Sequence, residues 1–282
     1  MAQQQVTAPD IRNAEEPITC LTCYDYLTAR IMDQVSELDM ILVGDSLANV
    51  MLGHDSTVSV TVDDMVHHTQ AVAKAVQRVF LVADIPFLEM ARSQDQLVSV
   101  VQRLVGEAGA QSVKIEGGER HAESVEHLVR NDVPVVGHLG LTPQSVQALG
   151  GYHVQARTKE EITKLGRDAR ALEDAGVLAI VLECIPDQVA RQLTRNLSVP
   201  TIGIGAGSGC NGQVLVWQDM MGLSQGESAS FVRTWGDLSR EIEQGVKGFC
   251  EDVRTGSYPS QEESYALKQS VDQATLESWI SP

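Results

Sequence analysis

Short apolar runs alternate with longer amphipathic stretches along most of the 282-residue chain. The runs are "ITCLTC" (18 to 23), "MILVG" (40 to 44), "VFLVAD" (79 to 84), "SVKIE" (112 to 116), "VPVVGH" (133 to 138), "LAIVLE" (178 to 183), "VPTIGIG" (199 to 205) and "QVLVW" (213 to 217). Near-continuous apolar runs of this length, separated by helical stretches, are the pattern of βα units and a parallel sheet. Between them, Thr61 with Asp64, Ser93 with Gln96, and Thr158 with Glu161 stand at capping-box spacing, and Gly109 and Gly176 sit where helices should stop.

Two successive quarters share one plan: "EAGAQSVKIE" is followed by "DVPVVG", and "DAGVLAIVLE" by "SVPTIG". That weak repeat, eight expected strands and the lack of a linker predict a single-domain (β/α)8 TIM barrel over residues 17–258. A polar N-terminal tail (1–16) and an acidic, helix-compatible C-terminal tail (259–282) flank it. The glycine-rich "GIGAGSGCNG" lacks the G-x-G-x-x-G spacing of dinucleotide sites, so close backbone packing is expected of it.

Composition removes several classes of function. A formal net charge of −17 repels phosphate backbones and anionic lipid heads, so nucleic acid is not an expected partner. No apolar run is long enough to span a bilayer, and the N-terminus lacks a basic, apolar leader, so a soluble cytoplasmic protein is expected. Five cysteines do not make a disulfide framework. The period-two geometry of a strand places Cys20 and Cys23 of the lone CxxC on opposite faces, as packing residues.

In a (β/α)8 barrel the chemistry sits at the C-terminal ends of the strands. Asp45, Asp84, Glu116 and Glu183 all fall there, in "LVGDS", "LVADIP", "VKIEGG" and "VLECIP". Carboxylates so close raise each other's pKa unless a cation offsets them, and hard oxygen donors suit Mg²⁺. Lys114 precedes Glu116 by two residues, hence shares its face. If that face is the lumen, the ammonium stands beside the metal, ready for the carboxylate of an anionic substrate; a structural ion pair is the other reading. Ser46 could offer a hydroxyl to the same carboxylate, and His138 could contact substrate or cofactor, or be a buried histidine with its bonds satisfied. His54 could order a loop over the site, while His67 and His68 are expected on the exposed side of the next helix.

Mg²⁺ with open positions, a lysine and a spare glutamate suit a small 2-oxo acid chelated through its carboxylate and ketone. Glu183 is the candidate proton acceptor if the apolar run before it raises its pKa. Residue chemistry alone stops at enolate formation, which lyases, mutases and aldol-type transferases share.

Nine strings narrow this further. "TCYDY", "LVGDSL", "GHDST", "LVADIPF", "VKIEGGE", "GHLGLTPQS", "GGYHVQAR", "LECIP" and "IGIGAG" resemble in order those of the 3-methyl-2-oxobutanoate (ketopantoate) hydroxymethyltransferase family, over roughly residues 17 to 260. The resemblance implies a barrel of the phosphoenolpyruvate/pyruvate type and an aldol-type transfer to 3-methyl-2-oxobutanoate from 5,10-methylenetetrahydrofolate, giving 2-dehydropantoate for pantothenate and coenzyme A. It implies Asp45, Asp84 and Glu116 around Mg²⁺, Asp45, Ser46, Asp84 and Lys114 as substrate contacts, and Glu183 as proton acceptor. It also implies a homo-oligomer, a decamer. This chain departs from the family's pattern at Asn211 and Gln218, where aspartate and histidine are usual. The alternatives are a Mg²⁺-dependent carbon–carbon lyase of the same barrel type and a non-catalytic barrel module. Against the lyase, no cysteine here lies in the Gly/His-rich loop such enzymes use, although Cys184 adjoins Glu183.

Overall fold

The computed structural model describes residues 4–145, 151, 153–224 and 229–281. Every apolar run forms a strand: β1 Ile18–Thr22, β2 Met40–Val43, β3 Phe80–Asp84, β4 Ser112–Glu116, β5 Val135–Gly140, β6 Ala179–Glu183, β7 Thr201–Ile204 and β8 Gly212–Leu215. Each pairs in parallel with the next, and β8 returns to β1, with Ile18 opposite Gly212, to close the barrel.

Helices α1 Ala8–Arg12, α2 Tyr26–Met32, α3 Leu47–Val50, α4 Val62–Ala73, α5 Gln94–Val101, α6 Ala122–Arg130, α7 Lys159–Asp174, α8 Asp187–Asn196 and α9 Trp217–Met220 lie along this first part of the chain. The expected capping boxes of Thr61, Ser93 and Thr158 open α4, α5 and α7. Gly176, at φ +90°, takes the left-handed turn that ends α7, a conformation a side chain would strain.

Period-two alternation sorts the strand residues into two cores. Ile18, Cys20, Met40, Leu42, Phe80 and Val82 belong to the cluster that fills the lumen. Their sequence neighbours, such as Ile41, Val43, Leu81 and Ala83, join the larger layer between sheet and helices. Cys20 and Cys23 fall in different layers, as their spacing requires. Burial pushes both thiols up to about 12, so they stay protonated as small packing groups.

The N-terminal segment is more than a polar tail. Ile11 of α1 is buried in the lumen cluster, Val6 N–H donates to Arg78 O at 2.7 Å, and an Arg12 amine donates to Val177 O at 2.6 Å. Both carbonyls lie just before strands, so α1 closes the N-terminal end of the barrel. Ile11, with Val6 and Ala8 packed against the same cluster, carries that contact from among polar residues, which is why hydropathy did not show it.

The chain divides into two compact units, Met1–Trp235 and Gly236–Pro282. The boundary expected at residue 258 thus falls inside the second unit, which contains α10 Leu238–Thr255 and α11 Gln273–Ile280. Helix α10 has no buried residue: Ile242, Val246, Phe249 and Val253 form an exposed stripe along it. Among the described residues no helix is long and apolar enough to cross a membrane.

Candidate active site

Strand β4 interrupts the apolar lumen. Val113 and Ile115 pack outward, while Ser112, Lys114 and Glu116 point the other way and are buried. Lys114 pairs in register with Val136 of β5 and with Asp84 of β3, and Glu116 with His138. The lysine and glutamate of "VKIEGGE" therefore face one shared cluster. Lys114 Nζ lies 3.0 Å from Asp84 Oδ1, 3.1 Å from His138 Nδ1 and 3.8 Å from Glu116 Oε1. His138 reaches both acids beside it, Nδ1 at 3.3 Å from Glu116 Oε1 and Nε2 at 3.1 Å from Glu183 Oε2, both off the ideal hydrogen-bond direction.

Asp45 is brought in from the turn after β2, where its backbone N–H donates to Asp84 Oδ2 at 2.9 Å. Gly44 makes room for this turn: a Cβ there would meet Ser46 Oγ at 2.8 Å and Asp84 Oδ2 at 3.5 Å. Ser46 Oγ hydrogen-bonds the buried Tyr24 hydroxyl at 2.8 Å. Tyr24 is in turn anchored by His68, whose Nδ1 lies 2.7 Å from the Tyr24 carbonyl. His68 is thus half-buried against the loop after β1, not on the exposed side of α4 as hydropathy suggested.

Gln144, from the turn after β5, went unassigned in the sequence. Its backbone N–H donates to Glu116 Oε2 at 3.0 Å, and its Nε2 donates to Asp45 Oδ2 at 2.7 Å and Ile85 O at 2.9 Å. One residue thereby ties together the ends of β2, β3 and β4. The string "GLTPQ" held the only signal, a polar side chain in a turn at a strand's C-terminal end.

Burial and mutual repulsion set the electrostatics. Burial first, then Glu116 and Asp84, hold Asp45 well above the usual carboxylate range. Burial also raises Asp84, despite the Lys114 ammonium beside it. Burial would raise Glu116 as well, but its contacts with His138, Lys114 and the Gln144 N–H outweigh it and hold the carboxyl low. Burial and Lys114 push His138 down, but its bonds to Glu116 and Glu183 prevail and hold the imidazole at about 9. Lys114 is raised, its burial outweighed by Asp84, Glu116 and Asp45.

Four acids here surround one lysine and one histidine, and a divalent cation would relieve the repulsion that raises Asp45. Asp84 Oδ1 and Glu116 Oε1 are buried and touch Lys114 and His138 as ion pairs without well-directed hydrogen bonds, so each keeps a lone pair to give. The donor set fits a hard cation on those grounds. Among the described residues the acids do not form a finished cage of three or more ligand groups: Lys114 stands against Asp84, and Gln144 holds one oxygen of Asp45.

The two departures from the family's pattern separate. Asn211 Oδ1 accepts from Thr201 N at 3.0 Å, at the start of β7 and so at the N-terminal end of the barrel, away from the acids. Gln218 follows β8 at the C-terminal mouth and is buried. In the glycine loop after β7, a Cβ on Gly207 would be driven into Asp187, so close packing explains that glycine. Cys184, directly after Glu183, has φ +48°, a left-handed conformation rare outside glycine, and local strain of this kind gathers at functional sites.

The fold and its mouth define a (β/α)8-barrel enzyme, with charged groups from five adjacent strand ends converging at one end of the lumen. Residues 5–261 match the family model described as ketopantoate hydroxymethyltransferase. The chain belongs to that family, and is an enzyme of the hydroxymethyltransferase type. It is 51% identical to the 3-methyl-2-oxobutanoate hydroxymethyltransferase of Koribacter versatilis (strain Ellin345), covering 96% of this chain and 91% of that one. It is 49% identical to the enzyme of the same name from Thermoanaerobacter sp. (strain X514), over 89% and 92%. In fold it is similar to the phosphoenolpyruvate phosphomutase of Streptomyces platensis subsp. rosaceus, with TM-score 0.60 and 14% identity over 96% of this chain and 94% of that one.

Proposed function

We propose that the chain transfers a hydroxymethyl group from 5,10-methylenetetrahydrofolate to C3 of 3-methyl-2-oxobutanoate, giving 2-dehydropantoate for pantothenate synthesis. Overall, C3 loses a proton and gains the donor's methylene carbon, water supplies the hydroxyl oxygen, and tetrahydrofolate leaves. The observation that carries the reading is the His138 imidazole standing between Glu116 and Glu183, which ties a metal-binding acid to the base.

Asp45, Asp84 and Glu116 would hold a Mg²⁺ ion, whose bound form polarises the ketone and stabilises enolate charge. The chain's own groups do the rest. Lys114 and Ser46 bind the substrate carboxylate, and Tyr24 fixes the Ser46 hydroxyl. Glu183 takes the C3 proton and becomes a neutral acid, and His138, whose Nε2 lies 3.1 Å from it, orients that carboxyl group. The thiol of Cys184 does not compete as a base, since burial and the Glu183 carboxylate push it up to about 11. A cytoplasmic homo-oligomer, a decamer by resemblance, belongs to the same reading, and the exposed apolar stripe of α10 supports assembly.

Proton NMR of 3-methyl-2-oxobutanoate in D₂O tests it, first with Mg²⁺ or EDTA and then with 5,10-methylenetetrahydrofolate. Metal-dependent loss of the C3 proton signal, followed by 2-dehydropantoate, is the expected result. Exchange without product would point to the lyase reading. Absence of both would leave only a non-catalytic barrel.

A further inference from the structure

The acids and His138 occupy the ends of β2 through β6, which leaves the ends of β7, β8 and β1 free of that cluster. A cavity of about 590 Å³ lies there, lined among others by Asp25, Val50, Trp217, Gln218 and Asp219, and it shares Ser46 with the catalytic cluster. Ser46 is therefore the joint between this cavity and the acid cluster. Glu183 on β6 is four strands from β2, so base and cavity stand on opposite sides of the mouth.

The cavity wall holds polar atoms without partners. Gln218 is 5% exposed, its Oε1 accepts no hydrogen bond, and its Nε2 reaches only Met51 Sδ at 3.4 Å. Trp217 Nε1 is likewise buried and unpartnered. A buried amide held by nothing stronger than a thioether can turn to meet a ligand, and such orphaned groups call for one. Two carboxylates complete the wall: Asp25 caps α2 through Thr28 N, and Asp219 accepts from Ser224 Oγ. Val50, Met51 and Leu223 supply apolar surface between them.

Apolar faces, an amide and two acceptor carboxylates suit a flat heterocycle whose edge carries N–H donors beside a carbonyl. A polyanionic chain does not suit it. We propose that this cavity is the subsite for the pterin ring of the one-carbon donor, with Gln218 and Asp219 on the ring's hydrogen-bonding edge and the donor's acidic tail directed to solvent. This rests on the proposed transfer from 5,10-methylenetetrahydrofolate. It places the electrophilic methylene on the Ser46 side of the substrate, away from the base, so neither group blocks the other. The departure at Gln218 then lies in donor binding, which leaves the enolate machinery untouched.

The test uses the full chain and the variants Gln218→Met, which keeps volume but removes the amide, and Asp219→Asn. Calorimetry with tetrahydrofolate gives the dissociation constant, and steady-state kinetics give KM for the donor and the 2-oxo acid separately. Both variants are expected to weaken tetrahydrofolate binding and raise the donor's KM about tenfold, the size of one lost hydrogen bond, with a smaller effect on the 2-oxo acid. Wild-type values in both variants would overturn the subsite. If Gln218→Met fails to fold by circular dichroism, Asp219→Asn decides alone, since Asp219 is only half-buried on a short surface helix. Absence of metal-dependent deuterium exchange in the wild-type protein would overturn the transferase reading itself, a failure separate from either calorimetric result.

Discussion

Gln144 Nε2 donates to Asp45 Oδ2 at 2.7 Å, while the same residue's backbone N–H holds Glu116 Oε2 at 3.0 Å. Two of the acids assigned to the metal thus take their orientation from one side chain and its own peptide group. Partners of this kind typically change metal affinity by about 10–100-fold when removed. Gln144→Met, close in volume, is expected to raise the Mg²⁺ dissociation constant by that factor, measured calorimetrically without substrate. Unchanged Mg²⁺ affinity, in a variant with native circular dichroism, would show that Asp45 and Glu116 hold their places unaided.

His138 makes a different prediction because it touches both Glu183, the proposed base, and Glu116, a proposed metal ligand. His138→Asn removes the imidazole that orients Glu183, and the rate of C3 deuterium exchange should fall by roughly 10²-fold or more, the range of positioned acid–base catalysis. KM for the 2-oxo acid should move little, since Lys114 and Ser46 remain. A variant that loses affinity but keeps its turnover would reassign His138 to substrate binding.

The barrel was legible because its strands are buried on both faces and its helices open with local capping chemistry, both of which sequence periodicity records. The acids were legible for a related reason: Asp84, Glu116 and Glu183 end their strands on the inward phase set by Phe80, Ser112 and Ala179. What period two cannot supply is anything a turn delivers. Gln144 and Asp45 reach the site from turns, and Ile11 reaches the lumen from a five-residue helix that carries almost no apolar signal.

Gly118, two residues beyond Glu116, has no room for a side chain. A Cβ there would be driven into the Cβ and Cγ of Asp168, which cannot retreat because its Oδ1 accepts from Glu119 N at 3.0 Å and its Oδ2 pairs with Lys164. Gly118→Ala is therefore expected to cost about 1–3 kcal/mol in urea unfolding, as overpacking does. Gly166, in the middle of α7, has nothing within 4 Å of its would-be Cβ. Gly166→Ala should stabilise by about 0.5–1 kcal/mol, the helix-propensity difference. Equal effects of the two substitutions would refute the steric account of Gly118.

His121 supplies a pH dependence whose sign is fixed by its surroundings. Burial, then the Arg120 guanidinium, lower its pKa from 6.5 to about 4 in the folded chain. Between those values the unfolded chain binds more protons than the folded one, so the contribution is fully present above pH 6.5 and is lost as pH falls toward 4. Because the ring is partly exposed, solvent screening reduces the effect to about 1 kcal/mol between pH 7.5 and pH 5. His121→Gln cannot take up the proton and should lack that increment. Urea unfolding of both proteins at the two pH values measures it: the wild-type protein should lose about 1 kcal/mol more than the variant. Parallel losses would mean that the His121 ring is as free to protonate in the folded chain as in the unfolded one.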